Sequence, residues 1–201
     1  MSSGAHAVRI VGGRWKRSKL PVADRPGLRP TPDRVRETLF NWLGQDLSGW
    51  RCLDAFAGSG ALGFEAASRG AASVLLLERD KELVRSLQAS AVRLGADTLR
   101  IERADAIAWM ARAAPQGFDL VMLDPPFDAG LHADALAAAL PLVSDGGFIY
   151  VESRQALGAA PPGWAVHRHG RAGAVHFHLL CRTQGEGYTA GDGPSPRRPT
   201  P

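Results

Sequence analysis

The residues Asp124-Pro125-Pro126-Phe127 follow the apolar run FDLVML and are of types suited to holding an amino group on a planar base. Two prolines fix the backbone and remove two N–H donors, so carbonyl oxygens can face a ligand without competition. The Asp124 carboxylate and one carbonyl could accept from the two N–H bonds, while the Phe127 ring stacks on the base. The plain alternative is a rigid loop after a buried strand. We predict that these four residues are catalytic and act on an exocyclic amine.

A glycine-rich loop lies within LDAFAGSGALGFEA, residues 53–66. Its G-x-G-x-x-G string is typical of dinucleotide binding, although alone it is weak evidence against a simple tight turn. Asp54 precedes the first glycine by four residues and would repel a diphosphate held at a helix N-terminus. A carboxylate suits instead a cationic ligand that carries an amine and a sulfonium. We predict a loop for such a ligand, formed by Asp54, Phe56, Ala57, Gly58 and Gly60.

Two further acids follow apolar runs. Glu78 ends SVLLLE and could accept both ribose hydroxyls of an adenosine, whether in NAD or in S-adenosylmethionine (SAM). Asp105 comes after TLRIER and could accept from an adenine amino group, or it could simply cap a helix. With their neighbours Arg79 and Ala106, they complete the predicted cofactor-binding set.

Apolar runs and amphipathic stretches alternate from Arg51 to about residue 153, which predicts an α/β fold with a mostly parallel sheet. In such a sheet, ligands bind beyond the carboxyl ends of the strands, where all four predicted groups fall. The runs GWAVHRHG and AVHFHLLCR leave no room for a helix between them, so they predict a closing β-hairpin with at least one antiparallel edge strand.

The first 40 residues are basic. They contain nine Lys/Arg against three acidic residues, a net charge of +6, whereas the remainder carries −2. This asymmetry favours a polyanion-binding segment, the alternative being a solvated basic face. VRIVGGRWKRSKLPV predicts a β-hairpin, and a helix is expected from Thr31, as cap, and Pro32, as first helical residue, to Gly44. The predicted RNA-binding residues are Arg9, Arg14, Lys16, Arg17, Lys19, Arg29, Arg34 and Arg36.

Several other classes of protein are disfavoured. No apolar run reaches the length of a membrane span, and the N-terminus lacks the apolar region of a secretory signal. Cys52 and Cys181 form no disulfide framework and fit a reducing cytoplasm. Alternating histidines at 167, 169, 176 and 178 could hold zinc on one sheet face, but on an outer strand they are usually solvated, and we predict no metal.

Taken together, Asp54, the glycine loop, Glu78, Asp105 and DPPF resemble the class I SAM-dependent methyltransferases with an (N/D)PP(Y/F) motif. RIVGGRWKRSKLPV, GLRPTPDRVRETLFNWL, DAFAGSGALGFEAASRGA and IYVES narrow the likeness to the RsmD-type enzymes, from about Val8 to Arg182. These methylate the exocyclic N2 of a guanine in small-subunit (16S) ribosomal RNA. Their front segment usually reads GGxxxGRxL, whereas Arg17-Ser18 stand here at the Gly-Arg positions.

The resemblance implies a Rossmann-like fold, SAM as cofactor, and ribosomal RNA or a small-subunit particle as partner. We expect an RNA-binding extension over residues 1–46, a methyltransferase domain over 47–182 and a disordered tail over 183–201, in a cytoplasmic monomer with no membrane contact.

Three other functions fit part of the pattern. An NAD-dependent oxidoreductase leaves Asp54 and DPPF without a role. An N6-adenine nucleic-acid methyltransferase would use the same DPPF run, although no target-recognition domain is evident beyond the front segment. A non-catalytic RNA-binding module leaves the pocket unexplained.

Overall fold

The computed structural model describes residues 7–23, 31–126 and 130–183. Within these ranges the helices are α1 (Asp33–Trp42), α2 (Ala61–Ser68), α3 (Lys81–Leu94), α4 (Ala106–Met110) and α5 (His132–Ala139), with a short 3-10 helix at Leu140–Leu142. The strands are β1 (Ala7–Arg9), β2 (Lys19–Pro21), β3 (Arg51–Asp54), β4 (Ser73–Glu78), β5 (Leu99–Arg103), β6 (Phe118–Leu123), β7 (Val143–Ser153), β8 (Trp164–Ala172) and β9 (Val175–Arg182).

Seven strands form one sheet in the order β5-β4-β3-β6-β7-β9-β8. The first five in this order run parallel, so their carboxyl ends meet at one edge. The predicted closing hairpin is confirmed, but the reversed strand is β9, which lies between β7 and β8 and is antiparallel to both. The edge strand β8 therefore runs in the same direction as the parallel strands.

Alternation along the strands produces two apolar cores, one on each face of the sheet. On β7, Phe148 and Tyr150 belong to the first core, whereas Ile149 and Val151 belong to the second. The first core contains α1, the wholly buried α2 and the N-terminal hairpin, and α4 and α5 pack on the second. Both faces of the sheet are thus covered, as a parallel sheet requires.

The predicted N-terminal hairpin is confirmed, with Val8 opposite Leu20. Its loop lies on the C-terminal end of α2: the Trp15 N–H donates to Ser68 Oγ at 2.9 Å, and that hydroxyl donates to the Gly12 carbonyl at 2.6 Å. Gly13 sits there at φ +70°, against the Ser68 carbonyl, where a side chain would not fit. The buried residues of the hairpin belong to the first core of the sheet. That core therefore continues across residue 46, where the sequence predicted a domain boundary.

Helix α1 ends before Gly44, as predicted, but begins differently from the prediction. Pro32 is its N-cap rather than its first helical residue, and Thr31 does not cap it. The C-cap is Leu43, with Gly44 following at φ +85°. The Thr31 hydroxyl is used at the functional site instead.

The four histidines do not share one sheet face. A register shift between Val166 and Arg168 places His167 beside Phe148 in the first core, with ring centroids 5.7 Å apart. The rings of the other three stack, with His169 and His178 4.4 Å apart. Among the described residues no group of three or more His, Cys, Asp or Glu side chains is arranged to hold a metal ion.

The expected tail, 183–201, lies outside the described residues except for Thr183. None of the helices within the described ranges has the length and apolar character needed to cross a bilayer.

Candidate active site

A cavity of about 1230 Å³ opens at the carboxyl ends of the parallel strands. It brings together most of the residues predicted from the sequence: Asp54, Phe56, Ala57, Gly58, Glu78, Arg79, Asp105, Ala106, Asp124, Pro125 and Pro126. Phe127 lies outside the described residues. Gly60 is absent from the lining and acts one layer behind it.

The loop after β3 is held by two carboxylates that accept backbone N–H bonds. Asp54 Oδ2 accepts from the Gly63 N–H at 2.9 Å, and Glu78 Oε2 accepts from the Gly58 N–H at 2.9 Å. Gly60 precedes α2 at φ +79°, and a Cβ there would lie 2.6 Å from Leu87 Cδ2. The glycine therefore permits both the turn and the close packing of α3 behind the loop.

Asp54 was predicted to contact a cationic ligand, yet it is almost wholly buried, with 1% of its surface exposed. Burial raises its pKa to about 7, and the nearby carboxyl of Glu78 adds to the rise, while the hydrogen bond from Gly63 opposes it. A cation at the cavity would favour the charged form. Asp54 thus shapes the loop and offers negative charge from beneath it.

Glu78 and Asp105 also organise backbone. Glu78 Oε1 accepts from the Asp80 N–H at 2.8 Å. Asp105 Oδ1 accepts from the Ala108 N–H at 2.9 Å, so it caps α4 while it lines the cavity. A carboxylate has about four acceptor sites, so each acid keeps capacity for a ligand hydroxyl or amine.

Three neighbouring strands carry a carboxyl at their ends: the buried Asp54 on β3, the half-buried Asp124 after β6 and the buried Glu152 on β7. Burial raises the pKa of Asp124 well above its usual value, and the charges of Glu152 and Asp54 raise it further. Burial likewise raises the pKa of Glu152. These carboxyls are stronger proton acceptors than exposed ones, and they favour a ligand that brings N–H donors or positive charge.

Hydroxyl groups surround Glu152. The Thr31 and Tyr150 hydroxyls both lie within hydrogen-bonding distance of Glu152 Oε1, at 2.8 and 2.9 Å. Thr31 Oγ1 is also 3.4 Å from Asp124 Oδ2. Since a hydroxyl has one hydrogen, the shorter contact is the stronger and the Asp124 carboxyl stays open towards the cavity.

Sequence reasoning missed Thr31, Tyr150 and Glu152 at this site. The sequence did offer a signal for Glu152, because this residue ends the apolar run FIYV in the same way that Glu78 ends SVLLLE. Thr31 had none, since it approaches Glu152 from 121 residues away along the chain.

The basic segment is exposed at most of the predicted positions, among them Arg14, Lys16, Arg17, Lys19 and Arg34. Arg9 is exposed but pairs with Asp33 at 2.7 Å. Arg17 has φ +72°, a left-handed conformation that favours glycine, at the position where the RsmD-type motif has Gly. Arg29 lies outside the described residues.

Arg36 was expected to bind RNA, and this prediction is wrong. Its side chain has no exposure, and Nη1 pairs with the equally buried Glu65 at 3.1 Å. Nη2 pairs with Asp33 at 2.6 Å, and Nε donates to the Thr31 carbonyl at 3.2 Å. Burial lowers the pKa of Arg36, although Glu65 and Asp33 oppose the change. Arg36 therefore joins α1 to α2 and holds the chain at Thr31.

A second basic segment contributes residues to the cavity lining. Residues 154–183 contain four arginines and no acidic residue. The turn between β8 and β9 contributes Ala172, Ala174 and Val175 to the cavity lining, and Arg168 and Arg171 are exposed on β8. The net charge of −2 over all residues after 40 gave no indication of this basic segment, because acidic residues elsewhere outweigh its arginines.

Comparison with known proteins agrees with this geometry. A family model described as "Conserved hypothetical protein 95" matches residues 8–181. Ribosomal RNA small subunit methyltransferase D of Escherichia coli strain K12 is 44% identical over 193 residues, which cover 92% of this chain and 95% of that protein. The protein of the same name from Haemophilus influenzae is 39% identical over 178 residues, 86% of this chain and 92% of that one.

Solved structures show the same fold. That of yhhF from Escherichia coli has a TM-score of 0.79 and 39% identity, covering 88% of this chain and 98% of that chain. That of TrmN from Thermus thermophilus has a TM-score of 0.65 and 28% identity, covering 80% of this chain and 51% of that chain. The Rossmann-like fold predicted from the sequence is thereby confirmed.

Proposed function

Since the chain belongs to the Conserved hypothetical protein 95 family, with relatives named ribosomal RNA small subunit methyltransferase D, we propose that it methylates small-subunit ribosomal RNA with SAM. The target is the exocyclic N2 of a guanine. One observation carries this proposal: Pro125, Pro126 and the half-buried Asp124 line the same cavity as the glycine loop.

The cavity residues fit SAM better than NAD. A dinucleotide diphosphate would meet the Asp54, Asp124 and Glu152 carboxyls, whose pKa values are already raised by burial and by each other. A ligand with an ammonium and a sulfonium relieves that repulsion. Glu78 would accept the ribose hydroxyls and Asp105 the adenine amine, and both line the cavity together with Phe56, Arg79 and Ala106.

SAM, when bound, supplies a methyl group on a positively charged sulfur. Asp124 and the Pro125 carbonyl accept hydrogen bonds from the guanine N2–H groups and orient the nitrogen for in-line attack. Such positioning lowers the barrier by about 7–11 kcal/mol. The methylated N2 would carry a positive charge, and the Asp124 carboxylate would accept one of its protons. Burial raises the pKa of Asp124 and so strengthens this acceptance.

The basic surfaces supply RNA affinity. The exposed basic residues of the N-terminal hairpin and of β8 would bind RNA phosphates, and the cavity, whose lining includes Thr31, Pro32 and Ala174, would take the target base. Such phosphate contacts would hold a strand whose target base is unstacked into the cavity. We expect the enzyme to act in the cytoplasm as a monomer, on ribosomal RNA or on a small-subunit particle.

Methyl transfer to small-subunit RNA from cells lacking the gene tests this function. Wild type with labelled SAM is expected to produce N2-methylguanosine at one site. Asp124→Ala is expected to lower kcat by at least about 100-fold with SAM affinity retained, and Asp124→Asn to lose less because it keeps an acceptor. N6-methyladenosine as product, or near-normal turnover by Asp124→Ala, would overturn the proposal.

A further inference from the structure

Glu152 has no role in the mechanism above, although it lines the same cavity as Asp124. Of the three carboxyls at adjacent strand ends, Asp54 holds the glycine loop, and Asp124, which lines the cavity, has the role of accepting from the amine in the proposed mechanism. Glu152 also lines the cavity, with 3% of its surface exposed. A buried carboxyl beside a second one is costly, and a glutamine would satisfy the same hydroxyls without charge.

The contacts of Glu152 fix its orientation. Both hydroxyl contacts, from Thr31 and Tyr150, end on Oε1. The same Thr31 hydroxyl lies 3.4 Å from Asp124 Oδ2, so the two carboxyls are close enough to meet adjacent atoms of one base. A carboxylate has about four acceptor sites, and two hydroxyls do not exhaust them.

The edge of guanine next to its amine is a row of donors. Its ring N1 carries a hydrogen, and the N2 amine carries two. Adenine places an acceptor, its unprotonated N1, beside the N6 amine. Two neighbouring carboxylates therefore match guanine, whereas the second would face a lone pair on adenine. A site built to accept a particular N–H rejects analogues that lack it, because its own buried group is left unpaired.

We infer that Glu152 accepts the N1–H of the target guanine while Asp124 accepts from N2, which makes Glu152 the residue that determines base specificity. This inference rests on the proposed function and names what that function leaves open, namely how the site recognises the ring as well as the amine. Thr31 and Tyr150 are positioning residues in this arrangement.

The test crosses one substitution with one altered base. The substrates are RNAs spanning the modified site, in a reconstituted subunit if naked RNA is inert, with guanine or 2-aminopurine at the target. The second base keeps the C2 amine but has no hydrogen on N1. Wild type is expected to prefer guanine in kcat/KM by roughly 10- to 100-fold, the range of a hydrogen bond to a charged group.

Glu152→Gln is expected to bring that preference close to one, because its amide can donate to the bare N1. Tyr150→Phe removes a hydrogen bond to the same oxygen but leaves the carboxylate, so the preference should persist. An unchanged preference in Glu152→Gln would overturn the inference and leave the function intact. If wild type methylates neither RNA, the proposed function and the inference both fail.

Titration with SAM shows whether Glu152→Gln is folded. Should it not fold, Glu152→Asp keeps the charge but withdraws it from the base by one methylene. It is then expected to lower kcat/KM more for the guanine RNA than for the 2-aminopurine RNA. Equal losses on the two RNAs would overturn the inference.

Discussion

The guanidinium of Arg36 and the carboxylate of Glu65 form an ion pair in which neither side chain has any exposed surface. Glu65 accepts further from Arg69 Nε at 2.9 Å and from the Val11 N–H at 2.8 Å. Removing Arg36 would take one of these cations from the buried Glu65, which keeps Arg69, and would break the contacts of Arg36 with Asp33 and the Thr31 carbonyl. Losing one member of such a buried network costs more than the intact pair contributes.

Arg36→Ala is expected to affect protein stability, whereas Arg34→Ala is expected to affect RNA binding. The two residues lie two positions apart on α1, one buried and the other exposed. Arg36→Ala should lower the free energy of unfolding by about 3–5 kcal/mol, whereas Arg34→Ala should weaken RNA binding with little change in Tm. Thermal denaturation and filter binding measure the two effects. A stable Arg36→Ala protein with reduced RNA affinity would restore Arg36 to the RNA surface.

Arg17→Gly is expected to stabilise the protein although it removes a side chain. Arg17 has φ +72°, which costs a residue with a Cβ about 1 kcal/mol relative to glycine. Lys16→Gly is the matched control in the same exposed turn, and it should give no such gain because Lys16 is not in the left-handed region. Chemical denaturation compares the two, and a loss of stability in Arg17→Gly would show that its side chain contributes more than the strain.

Gly60→Ala is expected to destabilise the protein more than Gly95→Ala does. Both glycines have positive φ, so both substitutions strain the backbone. A Cβ at Gly60 would also press on Leu87 and Phe64, whereas one at Gly95 meets nothing within 4 Å. We expect an additional loss of roughly 1–3 kcal/mol at Gly60, seen in denaturation midpoints. Equal losses of stability in the two variants would mean that α3 shifts to accommodate the added methyl group.

Asp54→Asn is expected to gain stability relative to wild type as the pH rises. Asp54 has a folded pKa of about 7, above the unfolded value of about 3.9. The stability that protonation contributes is full below the unfolded pKa and is lost as the pH rises towards 7. The Tm difference without cofactor should therefore grow in favour of Asn from about pH 4 to about pH 7 and level off above that. Asp97→Asn, at an exposed position, controls for loss of a carboxylate, and a pH-independent difference at Asp54 would contradict the shift.

Replacing Arg14, Lys16 and Lys19 by alanine is expected to flatten the salt dependence of RNA binding. Each single-stranded phosphate contact contributes a log–log slope of about −0.7. Arg17 is left intact because its backbone is strained. The control replaces Arg85, Arg100 and Arg112, which are exposed elsewhere and remove equal charge. Identical slopes for the two triple variants would move the RNA surface away from the hairpin.

The layout of the fold and most of the cavity could be predicted because both depend on local patterns. Alternating runs predicted the strands, and parallel strands bring residues that follow them, such as Asp54, Glu78 and Asp124, to one edge. These positions need only the secondary structure and the rule that parallel strands share a direction.

The remaining features depend on contacts that no local pattern encodes. Glu152 meets Thr31 across 121 residues, and the β8 irregularity that turns His167 away from His169 has no obvious sequence signal. Arg36 was closer to prediction, because it lies three and four residues before the buried Leu39 and Phe40 and so shares their helix face. A charged residue is not expected on a buried helix face unless a partner neutralises it. The partner, Glu65, lies on α2 and could not be identified from the sequence of α1.

The seating of the hairpin loop on α2 limits how related enzymes can exchange parts. A chimera that takes its basic arm, including Gly13, from one homologue must also take a serine at 68 and a glutamate at 65. Since α2 starts at the glycine loop, a swap of basic arms carries part of the proposed cofactor site with it. We therefore expect the arm and this helix to be inherited as one unit, and recombination at residue 46 to yield hybrids that do not fold.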